Sequence, residues 1–179
     1  KNDKPEFLGQ CFESIKNNSL QPIKIVLVKD GQISTELDSI ITKWCELLPI
    51  QVVGYEQNQG LASALNYGLQ FVETELVARM DSDDICYSDR FEKQINYFNL
   101  NTDCEICGTG LKEFYAILAN DCHEKIRLYP EIVNKTSKCL YKGTPLGHPT
   151  LMMKTEILKR YKYSENTSMN EDIDLWFRL

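Results

Sequence analysis

The first 80 residues alternate between helical and strand patterns, and this alternation constrains the fold more than any other feature. Three short runs rich in Ile, Val and Leu, at 23–28, 50–53 and 76–80, are too brief for buried helices and predict strands. Stretches with apolar side chains at helical spacing alternate with these runs. The stretches at 5–17 and 35–48 precede the first and second runs, and a third, at 61–72, lies between the second and third runs. This order predicts right-handed crossovers and a parallel sheet, so the expected fold class is α/β.

The alternation changes after Asn101. One further helix is predicted to start at 88–92, where Asp89 and Glu92 can form a capping pair. Strand-like segments without a long helix between them then predict a mixed extension of the sheet. The later predicted elements are strands at 105–107, 111–118 and 125–129, a helix from Pro130 to about Tyr141, a strand at 149–153, a helix at 155–161 and a helix start at 170–177. No repeat or linker interrupts the chain, which favours a single domain.

The apolar run that begins at Leu76 ends in Asp81-Ser82-Asp83-Asp84, where carboxylates crowd together. Like charges at this spacing repel by about 1 kcal/mol or more per pair at the dielectric of a protein edge. A divalent cation would neutralise them, and hard oxygen ligands at the carboxyl end of a parallel strand suit Mg²⁺ or Mn²⁺. The sequence therefore indicates a metal site at 81–84.

Three other interpretations of this acidic stretch were weighed. A solvated turn with an acidic helix cap remains open, because Asp is common in turns and before helices. A calcium loop starting at Asp81 fails, because Ile85 and Cys86 then occupy the positions that need a ligand and a glycine. A phosphatase-type aspartate nucleophile would need Lys and Ser or Thr partners that the sequence does not identify.

Composition narrows the class of protein. The net charge of −6 argues against a nucleic-acid partner, which requires a basic face. No apolar run approaches about 18 residues and the first residues lack the apolar core of a signal peptide, so we expect a cytoplasmic protein. Seven cysteines suit reduced thiols, and the Cys104 and Cys107 pair lacks the second close pair that a zinc site needs. Both ends look cut, so we expect a fragment that lacks its first strand and its C-terminal part.

Five segments in order make the chain resemble a family-two inverting glycosyltransferase with the GT-A fold, of the kind that builds bacterial polysaccharides or glycolipids. They are 7–15, 25–31, 58–66, 79–84 and 170–176. The resemblance implies a mixed, mostly parallel central sheet flanked by helices, with a Rossmann-like N-terminal half. It also implies one domain over 1–179, with a nucleotide-binding half at 1–100 and an acceptor and catalytic-base half at 101–179.

The resemblance gives the acidic stretch the role of the DXD metal motif. Asp83 would hold Mg²⁺ or Mn²⁺, which bridges the diphosphate of a nucleotide-sugar donor, and Asp81 would ligate the metal or face the donor. Arg79 would add positive charge for the donor or tie down the acidic cluster. Asp30 would contact the base, commonly uracil, although Lys29 stands where the family often has a second acidic residue.

Further donor-binding residues follow from the same resemblance. Asn58, Gly60 and Asn66 would line the donor pocket, with Gly60 permitting close approach of the backbone. Ordinary helix capping and core packing is the alternative for Asn58 and Asn66. His148 matches a histidine near the donor diphosphate, whereas a lone histidine is more often structural.

Asp172 in the Glu171-Asp172 pair would be the general base that takes the proton of the acceptor hydroxyl. Helix capping is the alternative role for these two acids. The implied acceptor is a saccharide or a lipid-linked saccharide, with a peripheral association at the inner face of the membrane. Two other functions stay open: a sugar nucleotidyltransferase and a non-catalytic, nucleotide-binding piece of a transferase.

Overall fold

The computed structural model describes residues 4–116, 122–133, 137–138, 144–166 and 170–179. The N-terminal elements are α1 (Pro5–Lys16), β1 (Ile25–Asp30), α2 (Thr35–Cys45), β2 (Ile50–Tyr55), α3 (Leu61–Leu69), β3 (Leu76–Ala78) and α4 (Arg90–Leu100). They are followed by β4 (Ile106–Cys107), β5 (Leu111–Ala116), β6 (Cys122–Arg127), a 3₁₀ turn (His148–Thr150), β7 (Met152–Lys154), α5 (Thr155–Tyr161) and α6 (Glu171–Arg178). The α/β class is as predicted.

Three ladders of strands are present in the described chain. β1 and β2 pair in parallel, with Ile25 opposite Ile50 and Asp30 opposite Tyr55. β7 lies between β3 and β4 and is antiparallel to both. β5 and β6 form an antiparallel hairpin. Strand pairing is therefore parallel in one ladder and antiparallel in the other two. The sequence predicts β3 in a parallel sheet, but in the described structure β3 pairs antiparallel with a strand more than 70 residues later.

Some predicted boundaries need correction. The predicted strand at 149–153 begins only at Met152, because His148–Thr150 forms a 3₁₀ turn in which the Thr150 amide donates to the Gly147 carbonyl. The described residues 130–133 are not helical, so the helix predicted from Pro130 does not start there. Most of the remainder of that segment lies outside the described residues.

Two apolar clusters hold the helices against the strands. In the first, α1 packs on α2, with the rings of Phe12 and Trp44 5.8 Å apart. In the second, Leu69 of α3, Met153 of β7 and Leu175 of α6 are buried together. The second cluster therefore packs α6, the last helix, together with α3 and β7, which are distant from one another in the sequence.

Arg90 and Gln94, two buried polar residues of α4, form a ladder of hydrogen bonds that holds the strand before the acidic stretch. The Gln94 side chain is 1% exposed, and its amide donates to the Cys107 and Thr150 carbonyls at 3.0 and 2.9 Å. Arg90 donates to the Gln94 side-chain oxygen at 3.1 Å and to the Arg79 carbonyl at 2.8 Å. These bonds tie the end of β3, β4 and the turn before β7 to one helix.

Replacing Gln94 with leucine should lower the free energy of unfolding by roughly 2–4 kcal/mol, because two buried carbonyls and the Arg90 donor lose their partner. The matched control is Asn96→Leu, at an exposed position of the same helix, where a change within about 0.5 kcal/mol is expected. Denaturant unfolding with an unchanged m value measures both. Equal effects of the two substitutions would contradict the role given to the ladder.

Candidate functional site

Strand β3 ends at Ala78, and Arg79 and Asp81, which follow it, form an ion pair. Both guanidinium nitrogens of Arg79 face Asp81, with Nη1 2.7 Å from Oδ2 and Nη2 in contact with Oδ1. The Arg79 side chain is largely buried, and its backbone amide donates to the Leu151 carbonyl at 2.8 Å. The forked pair therefore fixes Asp81 at the end of the strand.

The next two carboxylates of the stretch lie in different surroundings. Asp83 is exposed, whereas Asp84 is partly buried, and burial, followed by the charges of Asp81 and Asp83, raises the pKa of Asp84. Burial is the largest cause of this shift, and the two neighbouring carboxylates add to it against the charges of Arg79 and Arg90. In the described ranges no three His, Cys, Asp or Glu side chains form a group that could hold a metal ion by themselves.

Asp30, at the end of β1, organises the loop that enters α3. Its carboxylate accepts hydrogen bonds from the Gln59 amide at 2.6 Å, the Gly60 amide at 3.0 Å and the Asn58 side chain at 2.8 Å. The structure thus brings three of the sequence-predicted residues, Asp30, Asn58 and Gly60, into one cluster. Gly31 makes the tight approach possible: its φ is 95°, and a Cβ would lie 2.9 Å from the Asn58 amide nitrogen.

His148 lies in the 3₁₀ turn before β7 and is 9% exposed. Its Nε2 is 3.1 Å from the hydroxyl of Tyr163, and its ring meets that of Trp176 edge-on at 6.3 Å. Burial, then the charge of Arg79, lowers the pKa of His148 to about 3, so the imidazole is neutral near pH 7.

Helix α6 begins with Glu171 and Asp172, so the predicted acidic pair stands at the start of a helix. Oδ1 of Asp172 accepts a hydrogen bond from the Ile173 amide at 2.8 Å. Burial raises the pKa of Tyr163, and the charges of Asp172, Glu171 and Asp81 raise it further while Arg79 opposes them. The charges of the acidic stretch after β3 and of the acidic start of α6 therefore both act on the same buried tyrosine.

Asn66 lies on α3 with its amide bonded to the loop after α5. Its Nδ2 donates to the Tyr163 carbonyl at 2.9 Å and to the Glu165 side chain at 3.2 Å, and its Oδ1 accepts from the Tyr163 amide at 2.9 Å. In this structure Asn66 thus anchors a loop of the site. Its predicted contact with the donor stays a prediction.

Sequence patterns alone missed one member of the site. Tyr163 follows the end of α5 in a segment with no periodic pattern, and a single tyrosine there carries no signal. The helical spacing of Trp176 predicts a core residue, with a place beside an acceptor sugar as the alternative, and the side chain is buried. Its indole Nε1 has no hydrogen-bond partner in the described structure.

Comparison with known proteins identifies the family. The family model described as "Glycosyl transferase family 2" matches residues 1–161. The chain belongs to glycosyltransferase family 2. The match covers most of the chain, including the Asp30 loop, the acidic stretch after β3 and His148, and it ends before α6.

Two curated relatives and one solved structure illustrate the similarity. The amylovoran biosynthesis glycosyltransferase AmsE of Erwinia amylovora is 38% identical over 99% of this chain and 65% of its own length. The Escherichia coli UDP-Gal:alpha-D-GlcNAc-diphosphoundecaprenol beta-1,3-galactosyltransferase is 32% identical over 98% of this chain and 63% of its own length. The chain thus spans about two thirds of these relatives.

The crystal structure of Staphylococcus aureus TarS 1-349 has a TM-score of 0.74 to this chain at 19% identity, covering 96% of this chain and 50% of TarS. The same protein in complex with UDP-GlcNAc gives a TM-score of 0.70. At this identity the comparison shows the fold, and it supports the expected GT-A architecture.

Within the described ranges, no helix is both long and apolar enough to cross a membrane.

Proposed function

We propose that this chain forms the donor-binding and catalytic domain of an inverting glycosyltransferase. It transfers a sugar from a nucleoside-diphosphate donor, a UDP-sugar, to a hydroxyl of a saccharide or lipid-linked acceptor in cell-surface polysaccharide synthesis. The observation that carries the proposal is that two acidic groups, one after β3 and one at the start of α6, belong to segments that meet at the turn of His148. The Arg79 amide, two residues before Asp81, donates to the Leu151 carbonyl next to that turn, and Trp176 of α6 packs against the ring of His148. One group suits the donor and its metal, and the other supplies a carboxylate for the acceptor.

The donor would bind between the Asp30 loop and the forked pair. Asp30, Asn58 and Gly60 already form one cluster at the end of β1, which is where open α/β sheets bind ligands. Arg79, which pairs with Asp81, supplies a cation, and His148 supplies a neutral imidazole. The names of the relatives support a UDP-sugar, since one is named for UDP-Gal and the TarS structure is a complex with UDP-GlcNAc.

The residues present fit a divalent cation, with Asp83 as its main ligand and Asp81 beside it. Asp83 is exposed, and burial, followed by the charges of Asp81 and Asp83, raises the pKa of Asp84. Among the described residues no three His, Cys, Asp or Glu side chains could hold a metal ion by themselves, so Mg²⁺ or Mn²⁺ would be held by Asp83 and Asp81 together with the donor. When bound, such an ion offsets the charge of the departing diphosphate.

Inversion requires a base on the acceptor side, opposite the leaving diphosphate. Asp172 is our candidate, because it lies in the first turn of α6, the helix whose Trp176 packs against His148. Its Oδ1 is held by the Ile173 amide, which orients the carboxylate so that Oδ2 can accept the proton of the acceptor hydroxyl. Asp172 would thus act as general base while Arg79 and His148 face the donor.

The acceptor and location are inferred from the relatives. The E. coli relative is named for a diphosphoundecaprenol-linked acceptor and AmsE for amylovoran synthesis. A lipid-linked saccharide as acceptor would place this protein at the cytoplasmic face of the membrane, in peripheral association with it.

A screen of donor hydrolysis and transfer with the complete natural chain tests the function. UDP-galactose, UDP-GlcNAc, UDP-glucose and GDP-mannose would each be offered with Mn²⁺, with Mg²⁺ and with EDTA. We expect metal-dependent release of UDP from at least one UDP-sugar. Consumption of a nucleoside triphosphate with a sugar phosphate would instead indicate a nucleotidyltransferase, and binding of UDP without turnover of any donor would indicate a non-catalytic domain.

A further inference from the structure

Tyr163 is buried in a loop, which is uncommon because loops usually run over the surface. It lies two residues beyond the end of α5 and is 4% exposed. The preceding residue, Lys162, has a φ of 52°, a left-handed conformation that a side chain larger than glycine adopts only at a cost. The chain therefore makes a sharp turn that sends the tyrosine inward.

Hydrogen bonds to the Asn66 side chain also fix the backbone of Tyr163. The side-chain amide of Asn66 donates a hydrogen bond to the backbone carbonyl of Tyr163 and accepts one from the backbone N–H of Tyr163, each at 2.9 Å. The two residues are 97 positions apart in the sequence. These two bonds satisfy the backbone polar groups of a buried loop residue in the way that a strand neighbour would. With its backbone held by the turn and the Asn66 pair, the tyrosine packs its ring against that of His148.

The ring of His148 is held between two aromatic side chains. Its centroid is 5.4 Å from that of Tyr163 and 6.3 Å from that of Trp176. In the described part of the chain, the hydrogen-bond partner of the Tyr163 hydroxyl is Nε2 of His148, at 3.1 Å. The orientation of the imidazole is therefore fixed by packing, and one of its two nitrogens is already engaged.

The surroundings of Tyr163 and His148 determine the protonation states of the two side chains. Tyr163 keeps its proton, because burial and the nearby carboxylates raise its pKa, and His148 is neutral, because burial and Arg79 lower its pKa. A neutral imidazole has one N–H and one bare nitrogen, and the hydrogen bond made by one nitrogen decides which tautomer is present. The hydroxyl proton needs an acceptor, and the bare nitrogen of His148 is the one within reach.

We propose that Tyr163 is a positioning residue whose hydroxyl donates to Nε2 of His148 and thereby keeps the imidazole proton on Nδ1. The Nδ1–H is then available as a donor to an oxygen of the nucleotide-sugar diphosphate, a step that rests on the proposed function. Tyr163 thus links the loop after α5, anchored by Asn66, to the donor side of the site.

The tautomer is measured directly by NMR of the complete natural chain labelled with ¹⁵N-histidine. The present sequence contains two histidines, His123 and His148, and a His148→Gln sample assigns the signal. We expect a protonated Nδ1 and an unprotonated Nε2 near pH 7. A protonated Nε2 would overturn the proposal, and this readout requires neither a Tyr163 variant nor any activity.

Tyr163→Phe tests the consequence for the reaction, with Tyr161→Phe, at the end of α5, as the control. The variant should lose the single Nδ1–H pattern and show roughly a 10-fold lower kcat/KM for the donor, as expected when one hydrogen bond to a charged group is weakened. Unchanged tautomer and kinetics would overturn the positioning role. If wild-type protein turns over no donor, the proposed function fails, while the tautomer measurement still decides the role of Tyr163.

Discussion

Replacing Asp172 with asparagine in the complete natural chain is expected to lower kcat by at least about 100-fold, because a positioned general base contributes roughly 10²–10⁴ to the rate. Asparagine has nearly the same shape and still offers an oxygen to the Ile173 amide, which Oδ1 of Asp172 accepts in the structure. The first turn of α6 should therefore persist, and UDP affinity should change little. Initial rates and calorimetric titration of UDP measure the two quantities separately.

Asp174→Asn is the matched control for this experiment. Asp174 lies in the same helix and pairs with Arg178 at 2.7 Å, on a partly exposed face. Its loss should cost a fraction of a kcal/mol in stability and leave kcat nearly unchanged. If Asp172→Asn reduced donor binding and turnover by the same factor, Asp172 would have a structural role and the base would have to be sought elsewhere.

The second large effect is expected at Asp83. Asp83→Asn should weaken UDP binding in the presence of Mn²⁺ by at least about 2 kcal/mol, or roughly 30-fold, because a charged ligand of the cation is lost. Binding in EDTA should be weak and the same for both proteins. Titrations of UDP with and without Mn²⁺ give this difference directly.

Asp103→Asn provides the control, since Asp103 is an exposed carboxylate in the turn before β4. It removes the same charge from the protein without touching the acidic stretch after β3. Equal affinity of wild type and Asp83→Asn for UDP in Mn²⁺ would contradict the metal assignment. An equal loss in Asp103→Asn would show that net charge, rather than a ligand, is being measured.

Local patterns were sufficient for the N-terminal elements. The helices containing Phe12 and Trp44 and the strands at Ile25–Asp30 and Ile50–Tyr55 were predicted from spacing, and the structure has them within a few residues. Spacing succeeds here because each helix buries one apolar stripe, which its periodic residues reveal. The segment from Pro130 was harder, because its polar residues gave helical propensity without an apolar stripe to fix it.

The chemistry of the site was only partly visible in the sequence. Asp30 and the acidic stretch were recognisable because turn residues and carboxylates follow apolar strands. Gln94 gave no such sign. It is nearly fully buried only because α4 lies over the ends of β4 and the turn before β7, and its amide meets their carbonyls. A buried amide is explained by its partners, and those partners are distant in sequence.

By itself, the sequence determined the α/β class, the order of helices and strands, the family and the residues that carry charge, because these depend on local spacing and residue type. Only the tertiary structure decided that β7 lies between β3 and β4 and that Asn66 anchors the loop of Tyr163. These features depend on contacts between segments about 45 to 100 residues apart. Periodicity describes which face of an element is buried, and it contains no information about which distant element covers that face.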